Sequence, residues 1–133
     1  MEKKTKAQQP QLKKNYNSPR WSMEIPDCSM PMTLDTYSKC AYNCLYCFAY
    51  FQKSPTLDGY IGGGGIRSID PKKIIHLFES AMKDDRQAVT KTELQFFPYM
   101  QNRRIMQWGG LADQFDEWER RHGVTLELLK YFD

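Results

Sequence analysis

The segment Met32-Thr33-Leu34-Asp35-Thr36-Tyr37, followed almost at once by Cys40-Ala41-Tyr42-Asn43-Cys44-Leu45-Tyr46-Cys47, decides how the rest of the chain is read. Its first half alternates and is β-prone, which predicts a strand over 32–37. Its second half sets three thiols in a C-x3-C-x2-C block that follows the strand directly. Thiols so close in sequence converge on one small centre only if the backbone wraps around it. Thiolates are soft ligands, and they select zinc, copper(I) or iron–sulfur clusters over calcium or magnesium.

Downstream of the block, a short helix is predicted from Leu45 to Lys53, stopped by Ser54-Pro55. Residues 54–65 read as loop, with Asp58-Gly59 and the run Gly62-Gly63-Gly64-Gly65. The run is followed by Ile66-Arg67-Ser68 rather than the Lys-Ser/Thr of a phosphate-binding loop, so a plain loop is expected. Asp70-Pro71 opens the clearest helix: Asp70 caps, Pro71 fits the first helical position, and Ile74, Ile75, Leu77, Phe78 and Met82 form an apolar stripe. It should end near Asp84-Asp85. Residues 86–102 carry no clear period, and Pro98 is expected to break any regular element there. Arg104–Trp108 reads as a second strand ended by Gly109-Gly110. Asp116–His122 and Thr125–Phe132 read as helices, with Gly123 ending the first and Thr125 capping the second. This order predicts α/β layers with parallel strands.

Upstream, residues 1–30 read as a basic, polar, Pro-punctuated extension, leaving 31–133 as one domain. The whole chain has 133 residues and a formal charge of +3, but residues 1–20 sum to +5 and the remainder to −2. The tail therefore carries the basic character and reads as a solvated extension rather than a nucleic-acid contact, since no aromatics interleave with its lysines. Arg103-Arg104 and Arg120-Arg121 read as surface ends of elements. No run of 18 apolar residues and no apolar segment after the first lysines is present, so neither a membrane span nor a secretory signal is expected. A cytoplasmic setting follows, and there clustered thiols read as metal ligands rather than disulfides.

Four readings compete for the cysteine block. Structural zinc wants four ligands in two separated pairs, and Cys28, His76 or His122 would have to supply the fourth. A ferredoxin-type carrier wants C-x2-C-x2-C-x3-C-P, which is absent. Three unrelated buried cysteines would crowd this way only by chance. A [4Fe–4S] cluster with three protein ligands would leave one iron open, the mark of a catalytic metal site. Otherwise Cys28 reads as a free thiol, His76 as a surface or boundary residue, and His122 needs no functional account.

The C-x3-C-x2-C spacing, with Tyr46 just before the last cysteine and a strand just before the first, resembles the radical S-adenosylmethionine (radical SAM) superfamily. The resemblance implies Cys40, Cys44 and Cys47 as ligands of a [4Fe–4S] cluster, with Tyr46 beside the adenine of S-adenosyl-L-methionine. It implies reductive cleavage of that cofactor to a 5′-deoxyadenosyl radical that abstracts hydrogen from a substrate. An electron donor such as flavodoxin or ferredoxin is implied with it. The superfamily's glycine-rich motif after the second strand is matched by Trp108-Gly109-Gly110-Leu111-Ala112-Asp113. Gly109 and Gly110 would then seat the cofactor, and Asp113 would replace the acidic residue that usually follows the glycines, where Leu111 stands. A simple strand-to-helix turn is the competing reading of these glycines.

More narrowly, Gly109–Phe115 with Glu117-Trp118-Glu119-Arg120-Arg121 is similar to the branch of spore photoproduct lyase and DNA repair photolyase-like proteins. That branch usually has Asp-Pro-Phe/Tyr where Asp113-Gln114-Phe115 stands, and an aromatic stretch such as Phe48-Ala49-Tyr50-Phe51 after the cysteines. A lyase acting on a nucleic acid is one substrate class this implies. The fold implied is an α/β partial barrel of the radical SAM type. A complete eightfold barrel takes about 250 residues, so this chain is expected to be an incomplete, N-terminal portion, ending inside a helix. Trp108, Phe115, Trp118, Leu128 and Leu129 would then lack partners, and the chain would bind a cluster while turning over poorly alone. The alternative from another class is a non-enzymatic zinc-binding interaction module.

Overall fold

The computed structural model describes residues 12–21, 30–42, 44–47, 49 and 65–133. Lys3, Lys4, Lys6, Cys28, Gly62–Gly64, Phe48, Tyr50 and Phe51 lie outside the described residues, as does most of the helix expected over 45–53.

Three short strands form one sheet: β1 (Arg20–Trp21), β2 (Met32–Leu34) and β3 (Gln107–Trp108), in the order β1-β2-β3. The central strand β2 pairs in parallel with β3, Thr33 opposite Gln107 and Leu34 opposite Trp108. On its other edge it pairs with β1 antiparallel, Arg20 opposite Thr33 and Trp21 opposite Met32. Parallel strands are thus only part of the sheet, and residues 20–21, which read as extension, build one edge of it. The segment before β1 is also tied in: Tyr16 N donates to Ser68 O and Ser68 N to Lys13 O, both at 2.9 Å. Residues 67–69 in turn bond to 36–38, so this short stretch bridges the N-terminal segment and the end of β2.

Alternation along β2 sorts its two faces. Met32 and Leu34 point toward the helices, and each sits in a separate apolar cluster. Helix α1 (Pro71–Lys83) starts as its sequence dictates, with Asp70 accepting from Lys72 N at 3.1 Å and Pro71 in the first turn. Ile74, Leu77 and Ala81, spaced three and four apart, are its buried stripe, while Met82 is half exposed. Leu77 and Ala81 meet Met32 and the 96–100 region, and Ile74 meets Leu34. Full burial of a side chain such as Leu77 stabilises by about 1.5–3 kcal/mol.

Residues 86–102 are less irregular than their sequence implies. They hold α2 (Lys91–Leu94), entered by a complete capping box between Thr90 and Glu93, and α3 (Phe97–Gln101). Pro98 begins α3 instead of breaking it, because its missing N–H falls in the first turn, where no intrahelical partner is needed. Helices α4 (Glu117–His122) and α5 (Val124–Phe132) follow, joined at Gly123 in the left-handed conformation. Thr125 does not cap α5. Its N–H and that of Leu126 donate instead to the Glu119 carboxylate of α4, both at 2.8 Å, so the preceding helix caps the next.

Partners expected to be missing are in part present. Leu128 is fully buried against Leu34, Tyr37, Ile69 and Ile74. Trp108 donates to Thr36 Oγ1 at 3.0 Å and packs edge-on to Phe132, and Trp118 stacks on His122. Phe115 and Leu129 do stand exposed. Among the described residues, no helix is long and apolar enough to cross a membrane.

Candidate functional site

Because β2 and β3 run in parallel, their carboxyl ends lie at one end of the sheet. The cysteine block leaves the first and the Gly109-Gly110 turn leaves the second. Ligands of α/β proteins gather at such ends.

The turn is held from inside. Gly109 N donates to Leu34 O at 3.0 Å, continuing the ladder. Gly110 N and Leu111 N both donate to Asp35 Oδ1, at 2.7 and 3.0 Å, and Arg20 Nε donates to Asp35 Oδ2 at 3.2 Å. Asp35 is completely buried, and three donors, one of them cationic, offset what its charge would cost there. Alternation puts Asp35 with Thr33 on the face of β2 away from the helices. Gly110 lies against that face so closely that a Cβ would stand 2.8 Å from Thr33 Cγ2 and 3.1 Å from Arg20 Nη2. Gly109 has φ +87°, a conformation that favours glycine. Packing and backbone therefore account for both glycines, and their N–H groups are engaged within the protein.

Beyond the turn, Asp113 Oδ1 accepts from Phe115 N at 2.7 Å, a local turn on the exposed surface. Gln114 is buried. Its Oε1 accepts from Thr36 N, its Nε2 donates to Ala112 O, and its backbone O accepts from Thr125 Oγ1 at 2.9 Å. Asp116, also buried, accepts from Trp118 N at 2.8 Å to cap α4 and from Ala41 N within the cysteine block. One carboxylate so joins the start of the thiol loop to the helix after the glycine turn.

The thiols occupy a loop, not a helix. Residues 44–47 form a turn closed by Cys47 N donating to Cys44 O at 3.1 Å, so any helix begins after Leu45. All three cysteines are half-buried; Cys44 and Cys47 are free thiols, while Cys40 Sγ donates weakly to Tyr42 O at 3.7 Å. Leu45 and Tyr46 project into solvent, Leu45 fully and Tyr46 to 88%. Among the described residues, Tyr46 thus covers no neighbour.

Ionisable groups on the elements around the site are shifted. Burial, together with the hydrogen bond it donates to Glu119 at 2.5 Å, pushes the Tyr37 hydroxyl well above the usual tyrosine range. Hydrogen bonds from Arg120 and Arg121 hold the partly exposed Glu117 down at about 2.

The donor set fits an iron–sulfur cluster in kind: three soft thiols on one short loop. Among the described residues, no three His, Cys, Asp or Glu side chains stand together as a ready metal site, so the thiols must converge to bind one. His76 is exposed and donates to Ala88 O at 3.0 Å, and His122 stacks on Trp118; neither stands with the cysteines as a fourth ligand. Asp35, Gln114 and Asp116 tie the two loops together; no motif gives Asp35 or Asp116 a place at the site, and Gln114 enters only as a departure from one. The signal for Asp35 was a carboxylate in an otherwise β-prone run, a position that demands a partner.

Comparison with known proteins returns nothing: no family model matches the chain, and no curated protein or solved structure matches it significantly.

Proposed function

We propose that this chain is a radical SAM iron–sulfur protein, with Cys40, Cys44 and Cys47 as cluster ligands and the Gly109-Gly110 turn beside S-adenosylmethionine. The observation that carries the reading is the parallel β2–β3 pair, which brings the carboxyl ends of both motif strands together. The bond from Ala41 N to Asp116 supports it, since it holds the thiol loop against the segment that follows the glycines. Bound there, the cluster and its cosubstrate would supply one-electron chemistry ending in hydrogen abstraction. The chain's own part is to hold the cluster with three thiolates, to fix the turn through Asp35 and to orient the loop through Asp116. An α/β partial barrel and an electron-transfer partner belong to the same proposal. Lesion-lyase activity draws less support, because Asp113 and Gln114 are both accounted for by bonds within the protein.

Anaerobic reconstitution with iron and sulfide tests the reading, followed by electron paramagnetic resonance of the reduced protein with and without S-adenosylmethionine. A cubane signal that shifts on adding S-adenosylmethionine and is lost in Cys40→Ser is the expected result. A cubane that ignores S-adenosylmethionine would overturn the cofactor half. Zinc retained in place of any cubane would favour a zinc-binding interaction module.

A further inference from the structure

We propose that Cys44 and Cys47 form a redox lock: a reversible disulfide that low-molecular-weight disulfides install in the metal-free loop and that shuts it to iron. The inference rests on the cluster reading and concerns the regulation of that same site.

The geometry of the turn separates this pair from the third cysteine. The Cys47 N to Cys44 O bond of 3.1 Å closes a four-residue turn. Such a turn brings its end Cα atoms within about 7 Å, against the roughly 4.4–6.8 Å that a disulfide spans. Both thiols are free and half-buried. Leu45 and Tyr46, at the corner between them, stand 101% and 88% exposed, and both cysteines are themselves partly exposed, which leaves the pair open to a small disulfide. Cys40 is anchored otherwise: its thiol is directed to Tyr42 O, and the next residue is bonded to Asp116.

The exchange balances. A thiolate of the pair attacks one sulfur of glutathione disulfide and releases one glutathione thiolate. The second protein thiolate then displaces the other glutathione. Two protein thiols become one disulfide, one glutathione disulfide becomes two glutathiones, and the protons from the protein end on the departing thiolates. Because the turn already holds the two sulfurs' residues together, the second displacement is intramolecular and outruns hydrolysis or escape of the adduct. Two of the three soft donors are then withdrawn, and one remaining thiol cannot hold a cubane.

The test incubates the metal-free full chain with glutathione disulfide, alkylates what remains, and maps the peptides by mass spectrometry, with iron uptake measured in parallel. A Cys44–Cys47 link with Cys40 alkylated, iron uptake abolished, and uptake recovered after dithiothreitol is the expected outcome. Cys40→Ser should still form the link, and Cys47→Ser should keep a glutathione adduct on Cys44. Full alkylation of Cys44 and Cys47, or a link to Cys40, would overturn the lock and leave the cluster reading intact. A link that forms in a chain whose reduced state takes up no iron would support the pairing and overturn the cluster reading instead.

Discussion

The hydroxyl of Tyr37, just past β2, donates to the Glu119 carboxylate of α4 at 2.5 Å, and the same carboxylate caps α5. One buried phenol thereby ties the strand that leads to the cysteines to both C-terminal helices. Its pKa is raised by burial first and by Glu119 second. A raised value in the folded state means full stability below the ordinary tyrosine pKa of about 10, and progressive loss as pH climbs beyond it. Urea unfolding at about pH 8 and about pH 11 should show a fall in stability that Tyr37→Phe largely removes, at a cost of about 1 kcal/mol at neutral pH. Equal alkaline losses in the two proteins would refute the assignment.

Asp35 should tolerate the loss of its charge better than the loss of its oxygens. Asp35→Ala strips the acceptor from Gly110 N, Leu111 N and Arg20 at a buried position and should cost about 3–5 kcal/mol. Asp35→Asn keeps one acceptor oxygen for the two amides and should cost clearly less. Denaturation midpoints decide it, and equal losses would mean that the amides do not depend on this side chain.

Gly110→Ala must push a methyl into Thr33 Cγ2, 2.8 Å away, and should destabilise by about 1–3 kcal/mol. Gly65→Ala is the control, since no atom of the described residues lies within 4 Å of its added methyl. A Gly110→Ala protein as stable as that control would show that the turn is not seated on the sheet.

Glu117 should stay ionised in acid until about pH 2, because Arg120 and Arg121 donate to it. A depressed pKa places the benefit of these contacts above the ordinary glutamate range and removes it as pH falls toward 2. Carboxyl titration by NMR reads this directly. Replacing Arg120 and Arg121 together with Gln should return the group to ordinary values.

What could be read in advance was local. Asp70-Pro71 and the stripe Ile74, Leu77 placed α1 to within a residue or two, since cap, proline and period agree there. Gly123 marked the break between α4 and α5 for the same reason. The errors came where distant residues decide. Thr125 has the chemistry of a cap but lies beyond the point where α5 begins, and Glu119 does its work from another helix. Arg20 and Trp21 sit in a polar, Pro-rich stretch whose strand exists only because β2 offers an edge. The cysteines were legible as a set because spacing is a property of sequence. The bonds holding their loop, Asp116 to Ala41 and Gln114 to Thr36, join residues more than 70 positions apart, and no window along the chain contains both ends.

Asp35 and Gly110, hydrogen-bonded in the folded chain, are 75 positions apart. During synthesis at about 5–20 residues per second, the ribosome therefore releases the thiol loop several seconds before the segment that will lie beside it exists. In that interval Leu45 and Tyr46 lack even the neighbouring turn, and the cysteines meet the cell's oxidants and metals on a nascent chain. On the proposed cluster reading, a site that includes the Gly110 turn is complete only once translation has passed that residue, while its three thiols already stand on the nascent chain.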